Sequence, residues 1–346
     1  MPLSRFKPTS PRATLVRVLM FAAVVGLLFW AWRGVSPTAV SAAICRWGWL
    51  QWLLFVALNL FILGAMCWRW SLILRQMGYP VGFAALVRYR MGANTLSYVT
   101  PGPQFGGEPL QVHCLVARHR VPPEAASASV AVDRLMELMG SLLFLLLCGF
   151  LALPPVMADT SAMLPVTAIM TGVVLFIGVL LYTIATGRAP LSWLSGRAVR
   201  WIGWQNGAAG LVTYLRACER EVCGILTDRL FGWYAFGGLL QWTGFLAELW
   251  MIYAFMGAPM NAPALLTVAV AARLAFLLPL PGGLGALEAS QILALTSLGG
   301  DPALAAAACG IMRARDLVLI SIGAGLAMRW IRAPYGGKSH RPLGNS

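Results

Sequence analysis

Carboxylates are scarce in this chain. It carries 12 Asp and Glu against 26 Lys and Arg in 346 residues, and charged residues of all kinds make up only 11%. Soluble domains average about 25%, so a water-facing globular surface is excluded. Histidine is rare too: there are three, His113 and His119 form no metal pattern, and no HExxH occurs. The seven cysteines (45, 67, 114, 148, 218, 223 and 309) form no CxxC and no zinc spacing. Most lie in apolar runs, where cysteine packs as a small hydrophobe. No nucleotide signature is present. Gly336-Gly337-Lys338-Ser339 ends like a P-loop, but Arg332 stands where the pattern needs its first glycine, and no strand precedes it. ATP-driven pumping by this chain alone, a bound metal and a resident cofactor are therefore not expected.

What the chain has in excess is apolar side chain. Hydrophobic residues make up 59%, and the mean hydropathy is +0.74. The fold class that follows is an all-α polytopic membrane protein, read as one transmembrane domain over residues 1–346. A helix needs about 20 mostly apolar residues to cross the hydrocarbon core. Six segments approach or exceed that length: Leu15–Trp32, Gly48–Met66, Ala125–Leu153, Met163–Ala185, Gly232–Met256 and Ala303–Met328. Leu15–Trp32 follows basic residues, as a signal peptide would, but its length and its Trp30 and Trp32 favour an uncleaved first span. Two further apolar regions are interrupted. Phe83–Val116 is broken around Pro101, Gly102, Pro103, Gly106 and Gly107, and Pro263–Leu298 around Pro279, Pro281, Gly282, Gly283 and Gly285. Proline removes a backbone donor and glycine weakens a helix, so each region is expected to be a re-entrant hairpin of two half-helices. Non-helical backbone at that depth survives only where protein or water shields it.

Basic residues orient this layout, because Lys and Arg favour the cytoplasmic side. Twenty of the 26 fall in the two termini and in the connections around Arg69–Arg90, Arg118–Arg120 and Arg188–Arg229. Arg33 and Arg46 fall on the opposite side, and Arg134, Arg273, Arg313 and Arg315 lie in the membrane. Both termini are thus expected in the cytoplasm, at a bacterial inner membrane. The net charge of +14 does not point to nucleic acid. It sits in short juxtamembrane loops, where anionic headgroups are the nearest partner. The order fits only if the first broken region dips in from the cytoplasm and the second from outside. Residues 1–162 and 163–346 then form two halves of the same order and opposite orientation, an inverted repeat with its transport site at mid-membrane. Residues 187–231 read as an interfacial connection, with Trp193, Trp201 and Trp204 alternating with arginines as on an amphipathic surface helix.

The polar residues inside the apolar regions repeat as well. Setting Pro123 on Pro302 places Arg134 on Arg313 and Glu137 on Asp316, and one gap places Glu108 on Glu288. Charges in hydrocarbon are costly and as a rule functional. Glu108 and Glu288 each follow glycines at a hairpin tip. They either bind a cationic group or proton, or hold the tip by accepting backbone N–H bonds at the positive end of a half-helix; both roles can coexist. Arg134–Glu137 and Arg313–Asp316 are three residues apart and can pair on one helix face. Such pairs are either structural or position an arginine for a lipid phosphate or carboxylate. Arg273, with Arg88 or Arg90 as a looser counterpart, either joins them or snorkels. Asn94, Thr95, Ser97, Tyr98, Thr100, Gln104 and Gln291 either line a wet cavity or satisfy broken-helix backbone groups. Asp133, Glu248 and Arg315 lie in or near spans, with Glu248 expected to face the protein interior.

Gly92-Ala93-Asn94, the Pro101–Glu108 turn, Val132-Asp133-Arg134 and above all Pro279-Leu280-Pro281-Gly282-Gly283-Leu284-Gly285-Ala286-Leu287-Glu288 carry a resemblance. They resemble a flippase-like membrane family that includes the transmembrane region of lysylphosphatidylglycerol synthase/flippases and proteins linked to hopanoid biosynthesis. The resemblance implies lipid translocation between leaflets along broken helices, with Glu108, Arg134, Arg273, Glu288, Arg313 and Asp316 near the headgroup path. The sequence ends at Ser346 in a short polar tail, so the soluble aminoacyl-transfer domain and lysylphosphatidylglycerol synthesis are not expected. The stand-alone, hopanoid-associated branch fits better. The expected function is movement of an amphipathic lipid without catalysis. Its headgroup would be bound by Arg134, Arg273 and Arg313, with Glu108, Glu137, Glu288 and Asp316 orienting them, binding a cationic group or carrying protons. Two other readings stay open. One is a membrane-embedded lipid transferase or hydrolase using the same carboxylates as acid and base; the other is a non-catalytic partner of lipid-biosynthetic enzymes.

Overall fold

The structure, a computed structural model, describes residues 36–99, 106–152, 163–202, 205–278 and 280–332, with Gly26 and Phe29. Nearly all of Leu15–Trp32, the turn residues Pro101, Gly102, Pro103 and Gln104, Thr100, Pro279, Trp204 and both termini lie outside the described residues. Twelve helices and no strand occur among those described. In chain order they are α1 (Pro37–Ile44), α2 (Trp49–Gln76), α3 (Phe83–Val99), α4 (Glu108–His119), α5 (Pro123–Ala152) and α6 (Met163–Ala185). Then follow α7 (Pro190–Ile202), α8 (Gln205–Leu226), α9 (Phe231–Phe255), α10 (Ala262–Leu277), α11 (Ala286–Ser297) and α12 (Pro302–Arg332).

The helix boundaries follow local chemistry. Gly78, at φ +83°, ends α2 just before Pro80, a position where proline cannot continue a helix. Pro109 sits in the first turn of α4, which closes at Arg120 in the left-handed conformation with φ 56°. Asn261 starts α10 by accepting the Ala264 N–H at 3.0 Å, as N-cap residues do. Leu278 is extended at φ −70° and ψ 140°, the conformation forced on a residue before proline. The chain then turns through Pro281–Gly283 before α11 begins. The second interrupted region is therefore two helices, α10 and α11, flanking a non-helical turn; in the first, α3 ends at Val99 and α4 starts at Glu108, with Gly106 and Gly107 non-helical before it.

Five of the six expected spans fall on long helices, of 28, 30, 23, 25 and 31 residues. Hydropathy is more restrictive than length. Among the described residues only α2 is long and apolar enough to cross a membrane on composition alone, with a mean hydropathy of 2.0. Of the six expected spans, five are thus met by length and one by apolar content among the described residues, while Leu15–Trp32 falls almost wholly outside them. The physical reason for the difference between length and apolar content is visible in α5 and α12, whose inward faces carry Asp133, Arg134, Glu137, Arg313, Arg315 and Asp316. Their outward faces are apolar: Leu143, Leu147 and Leu151 on α5 and Leu317, Val318 and Ile322 on α12 are exposed, as are Leu53, Leu60 and Phe61 on α2. A water-soluble surface does not carry so extended an apolar belt.

Packing brings the two broken regions together. α2 lies along α9, α3 along α12, and α10 against α5 and α11. Small residues permit the close approaches, as is usual between helices in lipid. Ala305, Ala306, Ala307, Ala308 and Cys309 of α12 are all buried. A Cβ on Gly107 would lie 2.1 Å from the Ala93 carbonyl oxygen, and one on Gly323 would lie 2.4 Å from that of Met91. All seven cysteines are free, and Cys67, Cys114, Cys148 and Cys309 are buried. The 187–231 connection forms two packed helices, α7 and α8. Glu219 of α8 accepts the N–H groups of Leu191 and Ser192 at 2.6 and 3.2 Å. Trp193 and Leu194 stay exposed, with the Arg197 guanidinium 5.4 Å over the Trp193 ring.

Gly282 combines φ +55° with contact to Tyr98, whose ring a Cβ would approach to 2.4 Å. Gly282→Ala is expected to lower stability by about 1–3 kcal/mol, read as a fall in the detergent-solubilised melting temperature. Gly64, helical with nothing near its Cβ position, is the control. Gly64→Ala should hold or raise stability, by about 0.5–1 kcal/mol at most.

Candidate functional site

One arrangement occurs twice. At the start of α4, Glu108 accepts the Gly106 N–H at 2.7 Å and faces Arg134 Nε of α5 at 3.0 Å. At the start of α11, Glu288 accepts the Gly285 N–H at 2.9 Å and the Arg313 Nε of α12 at 2.7 Å. Each glutamate thus holds its turn and also an arginine of the following helix. The turn-holding reading of these glutamates is what the contacts show, with an arginine of the same fold as the cation each one faces.

The two arginines differ in how fully they are used. A guanidinium has five N–H donors. Arg313 engages all of them: both Glu288 oxygens, the Tyr98 hydroxyl, and the carbonyls of Gly282 and Gly283, at 2.7 to 3.2 Å. Tyr98 belongs to α3, so this lock ties the first broken region to the second. Arg134 donates one hydrogen bond, to Glu137 at 2.9 Å. Its Nη2 is buried without a partner, and its contact with Glu108 lacks hydrogen-bond geometry.

The expected Arg313–Asp316 pair is loose at 3.9 Å. Asp316 is held by its neighbour Arg315, through Nε at 3.0 Å and Nη2 at 2.8 Å. Arg315 Nη1 donates to Glu248 of α9 and, at 3.3 Å, to Asn59 of α2.

Behind Glu137 lies a network that sequence reasoning placed elsewhere. Arg69 and Arg90 were expected in a cytoplasmic connection; both are fully buried. Each contacts Asp133, Arg69 at 2.7 Å and Arg90 at 2.8 Å, one carboxylate oxygen apiece. Gln241 links Arg69 to Glu137 with contacts of 3.2 and 3.3 Å. A buried charge is tolerable only when paired, and Asp133 supplies that pairing. The missed signal was Asp133 itself, an acid directly before Arg134 that needed a cation from another helix.

Arg273 of α10 has no such partner. Its guanidinium lies over Phe245 at 3.8 Å and Trp242 at 4.5 Å. Its Nε is buried without a hydrogen bond. Among the described ion pairs none includes Arg273. Stacking on aromatic faces stabilises the cation without neutralising it.

These groups enclose a cavity of about 240 Å³ between the two broken regions. Arg134, Glu137, Glu248, Arg273, Arg315 and Asp316 line it, with Asn59, Asn94, Thr95, Ser97 and Tyr98 as further polar wall. A second space of about 820 Å³ lies between α4 and α5, walled by Pro109, Val112, Val116, Val130, Leu135 and Leu138. Glu108 and Arg134 border it, so Arg134 faces both. Of the seven predicted ligand residues, Arg134, Glu137, Arg273 and Asp316 line the cavity and Glu108 the apolar groove; Glu288 and Arg313 line neither. Gln291 also turns away, donating to the Val268 carbonyl at 2.9 Å and accepting from Tyr253 at 3.3 Å.

Comparison with known proteins places the chain among membrane proteins. A sequence model described as the lysylphosphatidylglycerol synthase TM region matches residues 16–324. A "UPF0104 membrane protein" of Methanothermobacter thermautotrophicus is 23% identical over 316 residues, covering 88% of this chain and 91% of that protein. No solved structure matches.

Removing one partner of a buried pair costs about 3–5 kcal/mol. Asp133→Asn, which strands Arg69 and Arg90, should therefore cost stability on that scale, measured by thermal unfolding in detergent. Arg273→Gln breaks no ion pair and should cost less, about 1–2 kcal/mol from the lost aromatic stacking.

Proposed function

We propose that this chain, which belongs to the lysylphosphatidylglycerol synthase transmembrane-region family, moves an amphipathic lipid between leaflets. Its anionic headgroup occupies the cavity and its chains stay in the bilayer or the apolar groove. The observation that carries this reading is Arg273, a cation on a cavity wall with aromatic support and, among the described ion pairs, no carboxylate in contact. A guanidinium that touches no carboxylate inside an apolar fold has donors and charge available to a ligand anion. Arg134, with a free Nη2, offers a second donor, and guanidinium groups match phosphate geometry. Arg313, whose donors are all engaged, acts as the fastener of the second turn.

In this proposal the two broken regions serve as re-entrant hairpins of an inverted repeat, residues 1–162 and 163–346. The repeated Glu–Arg arrangement supports that view. Half-helices meeting at mid-membrane suit substrate binding, and a space of about 240 Å³ accommodates a headgroup rather than a whole lipid. The groove between α4 and α5 gives acyl chains a place beside Arg134. Both termini lie in the cytoplasm in this arrangement, at a bacterial inner membrane.

The test is a leaflet-sidedness assay in proteoliposomes with a fluorescent anionic phospholipid. A charge-assisted hydrogen bond contributes about 1.5–3 kcal/mol, so Arg273→Gln and Arg134→Gln should each slow movement by about tenfold or more. Expression and monodispersity should be retained. Unchanged rates in both variants sink the reading, and a chemically converted lipid in the mass spectrum would favour an enzyme instead.

A further inference from the structure

The distribution of charge around the cavity leads beyond the headgroup site. On one side, Arg69, Arg90 and Arg134 meet Asp133, Glu137 and Glu108, three charges of each sign. On the other, two cations, Arg313 and Arg315, meet three carboxylates, Glu288, Asp316 and Glu248. Arg273, over the Phe245 ring one turn from Glu248, makes the total neutral without an ion-pair contact to any described carboxylate.

Glu248 is the least compensated of the three. Glu288 takes two N–H groups of Arg313. Asp316 takes two of Arg315, at 3.0 and 2.8 Å. Glu248 has one contact, Arg315 Nη1, which Asn59 shares. Glu248 is buried and lines the cavity. The polar groups around it come from every neighbouring helix: Asn59 from α2, Arg134 and Glu137 from α5, Arg273 from α10, and Arg315 and Asp316 from α12. With Glu248 itself these charges sum to zero, and removing that of Arg273 leaves the set at minus one.

We propose that binding of an anionic headgroup at Arg273 is coupled to uptake of one proton by Glu248. The inference rests on the reading that Arg273 holds an anion. The empty site is neutral. An anion on Arg273 leaves one negative charge uncompensated where water cannot screen it. A proton from bulk water reaches Glu248 through the cavity and forms the O–H bond of a neutral carboxyl group, while Arg315 remains with Asp316. Anion and proton then travel together without net charge, which ties lipid movement to a proton gradient. The coupling is reciprocal, so the anion binds more tightly as pH falls.

The full chain in nanodiscs of zwitterionic lipid is titrated by calorimetry with dihexanoyl phosphatidylglycerol, whose phosphodiester does not titrate between pH 6 and 8. Two buffers of different ionisation enthalpy give the protons taken up. The wild type should take up about one proton per lipid, and its affinity should fall by up to about tenfold per pH unit. Glu248→Gln, permanently neutral, should take up none and should bind at pH 8 about as tightly as the wild type at pH 6. The wild-type proton count stands even if the variant does not fold. No uptake in the wild type, with binding still weakened by Arg273→Gln, overturns the coupling and leaves the anion site standing. Equal binding by Arg273→Gln overturns both. Uptake that persists in Glu248→Gln and disappears in Asp316→Asn overturns the assignment to Glu248. Dimethyl phosphate, a phosphodiester without chains, runs in parallel. Uptake with it places the coupling in the anion alone, uptake with the lipid only places it in the whole amphiphile, and uptake with neither overturns the proposal.

Discussion

A charge surrounded by hydrocarbon and protein must find its opposite, and most of this fold's interior is arranged by that requirement. Asp133 takes one arginine on each oxygen, joining α2, α3 and α5 at a single carboxylate. Arg315 joins α2, α9 and α12 by the same logic from the cationic side. These pairs contribute little net stability relative to apolar packing. What they do is specify which helix meets which, because any other register would strand an ion. The apolar contacts between the same helices are far less selective, since one Leu or Ala resembles another to its neighbour.

Against that background the repeated Glu–Arg arrangement is informative for its inequality. Arg313 closes the second turn with every donor engaged, including by the Tyr98 hydroxyl of α3. Arg134 occupies the corresponding place with donors unmet and with two spaces at its sides. Satisfaction of this kind stiffens a site, and the lack of it marks where a ligand can add binding energy. Arg273 extends the same asymmetry: its aromatic seat fixes the guanidinium's position and leaves its charge available.

Much of this was legible beforehand, for reasons that can be named. Proline and glycine punctuate a chain locally, so the breaks between α3 and α4 and between α10 and α11 were visible in composition. Glu108, Glu288, Arg134 and Arg313 stood out because acid and arginine are rare in apolar runs and occurred at matching intervals. Arg69 and Arg90 were misplaced because an arginine at the end of a span reads as a loop residue until its partner is known. The same ignorance of partners made Arg313–Asp316 look like the natural pair at three residues' spacing, although Arg315 holds Asp316 more closely. Inward-facing charge on α5 and α12 lowers their average hydropathy without changing the apolar outward face.

The amino-acid sequence by itself determined the helical class, the apolar exterior, the two breaks and the short supply of carboxylates. Each of these depends on residue type and neighbours along the chain. Only the tertiary structure decided which cation each carboxylate serves, that Arg313 is fully engaged, and that Arg273 is left over. Pairing across 64, 43 or 215 positions is set by how helices pack. No local rule predicts which arginine is left over once all the others have been matched.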